Sequence, residues 1–198
     1  MLGFDRRHYP RFFDGPGVRK FCVPIQPDYH RRLFPEIAFV AELPLFPSSI
    51  FSPMLAHGSA RIPGNTIRKV YVCRAKITRL RPGDLVLFYM SKDEAYAASQ
   101  SITTVEQVAN ATSAEELVRR TEKRSVFSGG DLTGMAPSPV SPVKMIDFLL
   151  VGHSKPSVLL ATLVSAGIFN GRPPQSIAEL SEERYAALKT LLQLGFDI

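Results

Sequence analysis

Between Arg61 and Pro82 the chain carries seven lysines or arginines and no acid: Arg61, Arg68, Lys69, Arg74, Lys76, Arg79 and Arg81. Cations at this density concentrate polyanions near them, so the chemistry they suggest is phosphate binding rather than bond making. Arg68, Lys69, Arg74, Lys76 and Arg79 are the candidate phosphate contacts. Tyr89 and Tyr96 have rings on which a base can stack. Asn65, Ser91 and Ser99 offer an amide and two hydroxyls to a base edge. The five cations are expected to form part of one phosphate-binding surface, anchored by the apolar segment that follows them.

Patterns for bond-making chemistry are missing. Neither G-x-G-x-x-G nor G-x-x-x-x-G-K-[ST] occurs, and there is no G-x-S-x-G elbow or H-E-x-x-H pair. His8, His30, His57 and His153 are scattered, with no cysteine or carboxylate at ligand spacing, so neither a metal nor a cofactor is expected. Isolated histidines of this kind are more often surface or hydrogen-bonded residues than catalysts. Cys22 and Cys73 form no redox spacing and are expected to stay reduced in a cytosolic setting.

The totals fit this reading. A chain of 198 residues with 45% hydrophobic content is long enough to bury a real core. The net charge of +6 is concentrated in residues 1–34 and 61–82, whereas the chain after Phe127 is close to neutral. No window approaches the roughly 18 consecutive apolar residues of a membrane span. The two arginines near the N-terminus lack a following apolar stretch, so no signal peptide is expected.

These side chains need elements to position them. FCVPI (21–25) reads as a strand, with Pro24 favouring an edge position. Asp28 is expected to cap a short helix ended by Pro35, before a long irregular connection marked by Pro44, Pro47, Pro53 and Pro63. VYVCRAKI (70–77) alternates, placing Tyr71, Cys73, Ala75 and Ile77 on one face and Val70, Val72, Arg74 and Lys76 on the other. Its partners favour core packing for Tyr71 over stacking on a ligand. After the R-P-G-D turn, DLVLFYM (84–90) has no polar face, so it is expected to be a central strand covered on both sides.

ASQSITTVEQVANA (98–111) reads as a bent strand, and Ser113 with Glu116 forms a capping box opening a helix to about Lys123. A brief strand is expected at SVF (125–127), a loop at 128–142 and a strand at 143–151. Leu159, Leu160, Leu163 and Val164 make a helical stripe within SKPSVLLATLVSAG, with Gly167 just past its end. A last helix, capped by Ser181, turns Tyr185, Leu188, Leu191 and Leu192 inward and stops at Gly195. The expected class is α+β with a mixed, mostly antiparallel sheet: an N-terminal arm (1–20) and one domain (21–198).

The ordered set GNTIRKVYVCRAKITRLRPGDLVLFY, YAASQSITTVEQV, a capped helix and KRSVFS resembles the PUA-like superfamily, which includes PUA, ASCH, EVE, YTH and SRA-type domains. In that superfamily a basic strand leads to a [K/R]-x-G-D turn and an apolar strand, here Arg81-Pro82-Gly83-Asp84 and Leu85-Val86-Leu87. FFDGPGVRKFCVPIQPDYHRRLFPE and GRPPQSIAELSEERY are similar to the C-terminal PUA-like region of some bacterial proteins with an upstream GNAT domain. The CoA-binding loop of that upstream domain has no counterpart here. The resemblance implies a small β pseudo-barrel with flanking helices, working as a non-catalytic module that binds RNA or a modified or flipped base. A partner protein carrying an effector domain fits the same picture. ASCH relatives that hydrolyse a modified nucleoside imply an alternative built on Lys69, Thr66 or Thr104, and Glu106. In their G-x-K-x-x-E-x-R pattern, however, the acid is displaced by Tyr71 or Val72. With no tryptophan in the chain, any base cage must use Tyr and Phe. A protein-interaction module using the Pro-rich loops 44–63 and 128–142 is the third reading.

Overall fold

The apolar run after Gly83-Asp84 forms β3 (Leu85–Met90), and it lies inside the sheet as its lack of a polar face requires. The computed structural model describes residues 13–35, 37, 67–91, 98–121, 124–125 and 127–194. On one side β3 pairs in parallel with β1 (Lys20–Ile25), and on the other it pairs antiparallel with β4 (Ala98–Ala111). β4 pairs with β5 (Val143–Leu159), β5 with β2 (Arg68–Cys73), and β1 with the short β6 (Ala178–Leu180), all antiparallel. The order is β2-β5-β4-β3-β1-β6. The helices used below are α1 (Pro27–Leu33), α2 (Ala114–Thr121), α3 (Gly129–Gly134), α4 (Leu160–Ser165) and α5 (Glu182–Leu191). None of them is long and apolar enough to cross a membrane.

Both faces of the sheet are covered. Phe21, Val23, Val86, Phe88, Val105, Ile146 and Phe148 point to an inner core, closed by Leu33, Phe34 and Leu80. The alternate residues point outward into two layers. Cys22, Leu85, Leu87, Tyr89 and Ile102 pack under α4, α5 and Ile168–Phe169, and burial pushes the Cys22 thiol up to about 12. Val70, Val72, Val143 and Met145 pack under α2 and α3.

Among the described residues the edge strands do not close the sheet by backbone pairing; side chains span the gap instead, as in a pseudo-barrel. Tyr71 on β2 reaches across the inner space, its hydroxyl donating to Pro24 O on β1 at 3.2 Å and its ring meeting Phe88 edge-on at 5.3 Å. Arg79, past the end of β2, pairs with Glu179 on β6 at 2.9 Å. Tyr71 is therefore core, with its hydroxyl satisfied.

The R-P-G-D turn has a structural reason for its acid. Asp84 is buried, accepts from Arg81 N at 2.7 Å, and takes a two-pronged contact from Arg19 at 2.7 and 3.2 Å. Gly83 has φ +90°, a conformation that glycine adopts without strain. Asp84→Ala removes a charge-assisted pair and leaves a backbone N–H wanting, so urea unfolding should show a loss of about 1.5–3 kcal/mol. A loss below about 0.5 kcal/mol would show that the turn holds without its acid.

A second buried cation anchors the start of β1. The side chain of Lys20 is fully enclosed, with Nζ 2.7 Å from Glu182 and 5.0 Å from the Tyr185 ring centroid. Nearby, Asp14 accepts from the Tyr185 hydroxyl at 3.0 Å and from Lys189 at 2.9 Å. Burial pushes the Asp14 carboxyl up, but the contacts from Lys189 and Tyr185 hold it below its ordinary value.

Several local expectations need correction. Gln26, not Asp28, is the N-cap of α1; Pro27 at the first helical position leaves Asp28 inside the first turn. No strand is assigned at Ser125 or Phe127, and α3 interrupts the 128–142 loop, started by a Ser128–Asp131 capping box. β2 stops at Cys73 rather than Ile77, although burial still alternates over 74–77. The helix expected from Lys155 onward shrinks to α4, because Val158 and Leu159 pair with Ser99 and Ala98 and extend β5. Gly167 has φ +71° just past α4, as its position predicts. β6 covers β1 only as far as Cys22, so Pro24 sits where no outer ladder needs its N–H.

Candidate functional site

Arg68 and Lys69 are neighbours on β2 and therefore face opposite ways. Arg68 points outward, 69% exposed, and pairs with Glu106 at 3.2 Å. Lys69 points inward in phase with Tyr71 and Cys73; it is 1% exposed, with Nζ 5.5 Å from the Phe34 ring centroid. Arg74 lies beyond the other end of β2, where it donates to Ser141 Oγ at 2.6 Å and to Met135 O. Lys76 is exposed on the same side, and Arg79 is held by Glu179. At about 3.3 Å of rise per residue, Lys69 and Arg74 are about 16 Å apart along the strand. The five cations thus do not form one surface. Alternation divides the first two, and strand length separates them from the other three.

The remaining candidates scatter as well. Tyr89 is 1% exposed and packs edge-on against Phe169 at 5.3 Å, and burial pushes its hydroxyl up to about 12. It is a core residue of the outer layer, placed there by alternation with Leu85 and Leu87, and no base can stack on it. Ser91 follows β3 directly, its N–H donating to Ile25 O at 2.8 Å and its hydroxyl donating to the same oxygen at 3.3 Å. Ser99 lies on β4 opposite Tyr89 and Val158. Asn65 and Tyr96 lie outside the described residues. The hydrolase set does not converge either. Val105 faces the inner core, so Thr104 and Glu106 on either side of it face away from Lys69, and Glu106 is engaged by Arg68. Thr66 lies outside the described residues.

What the fold does bring together is a polar group around Phe34. The chain leaving α1 lays Phe34 on the inner face against Phe88 at 5.3 Å. Lys69 approaches the same ring from β2. His30, buried on α1, packs 4.9 Å from it, and His153 on β5 meets it edge-on at 5.5 Å. Ser101 on β4, also buried, places its Oγ 2.9 Å from His153 Nδ1. This hydroxyl helps to fix the orientation of the imidazole. The ammonium, the His30 imidazole and the hydroxyl are enclosed with Phe34, and the His153 imidazole is part-exposed; groups of these types suit an anion or the polar edge of a planar ring.

Sequence reasoning missed His30, Phe34, Ser101 and His153. One signal was available: extending the Tyr71–Cys73 alternation back by two residues puts Lys69 on the core face. A second was Ser101 and Thr103, which stand in phase with Val105 on a strand face that must be buried. No local signal joins His30 to His153.

The described residues also form two open grooves, one of which shares His153 with this cluster. One, of about 470 Å³, is lined by His153, Lys155, Gln193 and Leu194. The other, of about 480 Å³, is lined mainly by apolar groups of Pro156, Val158, Leu159 and Leu191.

The fold is similar to that of solved ASCH domains. The ASCH protein of Zymomonas mobilis matches with a TM-score of 0.58 at 14% identity, covering 88% of this chain and 96% of its own. A serine-to-alanine variant of it gives 0.58 at 13% identity, covering 90% and 100%. A hypothetical protein from Leishmania major gives 0.51 at 13% identity, covering 88% and 94%. No protein-family model matches the chain, and no curated protein matches it.

Proposed function

We propose that this chain is a nucleic-acid-binding module and that it receives a nucleotide at the part-exposed His153, backed by the buried group of Lys69, His30 and Ser101 around Phe34. The position of Lys69 carries the reading. A lysine held on an aromatic inner face is a fixed cation in a low-dielectric setting, where it attracts a phosphate or a base carbonyl more strongly than a surface lysine does. The imidazoles and the Ser101 hydroxyl add hydrogen-bonding groups suited to a base edge. The net charge of +6, with Arg74 and Lys76 exposed at the other end of β2, supplies the long-range attraction. The activity is binding without turnover. In support, the acid that a hydrolytic set would use, Glu106, is paired with Arg68 across the sheet from Lys69.

The direct test is fluorescence anisotropy with single-stranded RNA and DNA oligonucleotides over about 50–200 mM salt. Affinity should fall with salt at a log–log slope of about −0.7 for each phosphate contacted. Absence of binding to either polymer at the lowest salt would overturn the reading.

A further inference from the structure

The groove beside His153 has features that the central cluster does not explain. We infer that it is a second nucleotide subsite, in which Lys155 holds a phosphate and the Gln193 carboxamide reads a base edge. The inference rests on the nucleic-acid reading of the neighbouring Phe34 site. At about 470 Å³ the groove falls in the size range of small-ligand sites. Its lining is chemically mixed: an exposed ammonium, an exposed carboxamide, an imidazole and the half-buried apolar side chain of Leu194. An ammonium alone would take any anion. A carboxamide adds a donor and an acceptor in one plane, the arrangement that matches the edge of a base.

The walls are also held in place, so the groove does not have to be assembled by its ligand. Lys155 N donates to Gln193 O at 2.8 Å. Gln193 N donates to Ser154 Oγ at 3.1 Å, and the Ser154 hydroxyl donates to Pro156 O at 2.9 Å. Ser154 is buried, so the segment after α5 is tied to β5 from both directions. His153 belongs to both places: Ser101 and Phe34 set its ring, and it lines the groove. A strand that puts one nucleotide against the Phe34 cluster therefore has its neighbour within reach of Lys155 and Gln193.

Lys155 and Gln193 are exposed, so alanine at either position should leave the fold intact. The experiment measures binding of the full chain to single-stranded oligo-A, oligo-C and oligo-U for wild type, Lys155→Ala, Gln193→Ala and Lys69→Met. Wild type should prefer one base by at least about fivefold, and Gln193→Ala should bring the three together. Lys155→Ala should weaken all three alike and reduce the steepness of the salt slope by about 0.7. If both groove variants keep wild-type affinities and preferences while Lys69→Met binds more weakly, the subsite is wrong and the Phe34 reading stands. A Gln193→Ala variant that weakens all three equally would overturn base reading in the groove. Failure of wild type to bind any of the three would overturn the subsite together with the reading beneath it.

Discussion

Replacing Phe88 with alanine is expected to lower the free energy of unfolding by about 3–5 kcal/mol. Phe88 is fully buried at the middle of β3, in the interior of the sheet. Its ring meets Phe34 at 5.3 Å, Tyr71 at 5.3 Å and Phe148 at 5.2 Å. These neighbours come from the end of α1, from β2 and from β5, so no single shift of one element can fill the space left behind. The transfer term and the cavity term therefore both count. The same change opens the wall behind Phe34, on which the Lys69 cluster is built. Urea unfolding followed by circular dichroism measures the effect, and an unchanged slope with denaturant would assign it to stability rather than to the denatured state. A loss below about 1 kcal/mol would mean that the inner face is not the core of the fold.

How much of this was legible in the sequence depends on whether local or distant partners decide each feature. β3 was legible because six consecutive apolar residues leave only one placement. The start of α2 was legible because Ser113 and Glu116 cap it locally, with Glu116 N donating to Ser113 Oγ at 3.2 Å. Distant pairing hid the far half of β5. Leu159, Leu160, Leu163 and Val164 have helical spacing, yet the ladder to Ala98 and Ser99 keeps the chain extended through Leu159. α3 was hidden by two glycines that suggested a loop, although its capping box was present in the residues.

The candidate site was read less well than the fold. Density along the sequence made the cations look like one surface, but a strand sends neighbours to opposite faces and spreads residues five apart over about 16 Å. Lys69 was therefore named for a role at the surface and found on the inner face. Its companions His30 and His153 come from α1 and β5, and only the folded sheet makes them neighbours of the same ring.

The most direct test of the central claim compares the two ends of β2 in one binding assay. Lys69→Met keeps the length and bulk of the side chain and removes its charge, and its stability is measured beside its binding because a buried cation can also support the fold. Losing a charge-assisted contact to the ligand should weaken binding to single-stranded nucleic acid by about ten- to a hundredfold, equivalent to about 1.5–3 kcal/mol. The double variant Arg74→Ala with Lys76→Ala should act only through screening. At most its salt slope becomes shallower by about 1.4, two contacts at about 0.7 each, with affinity approaching wild type as salt rises. With all proteins first shown to unfold cooperatively, Lys69→Met should show a large loss at every salt concentration and the double variant a small, salt-dependent one. Wild-type affinity in Lys69→Met, with binding abolished in the double variant, would contradict this and move the site to the Arg74 end of the strand.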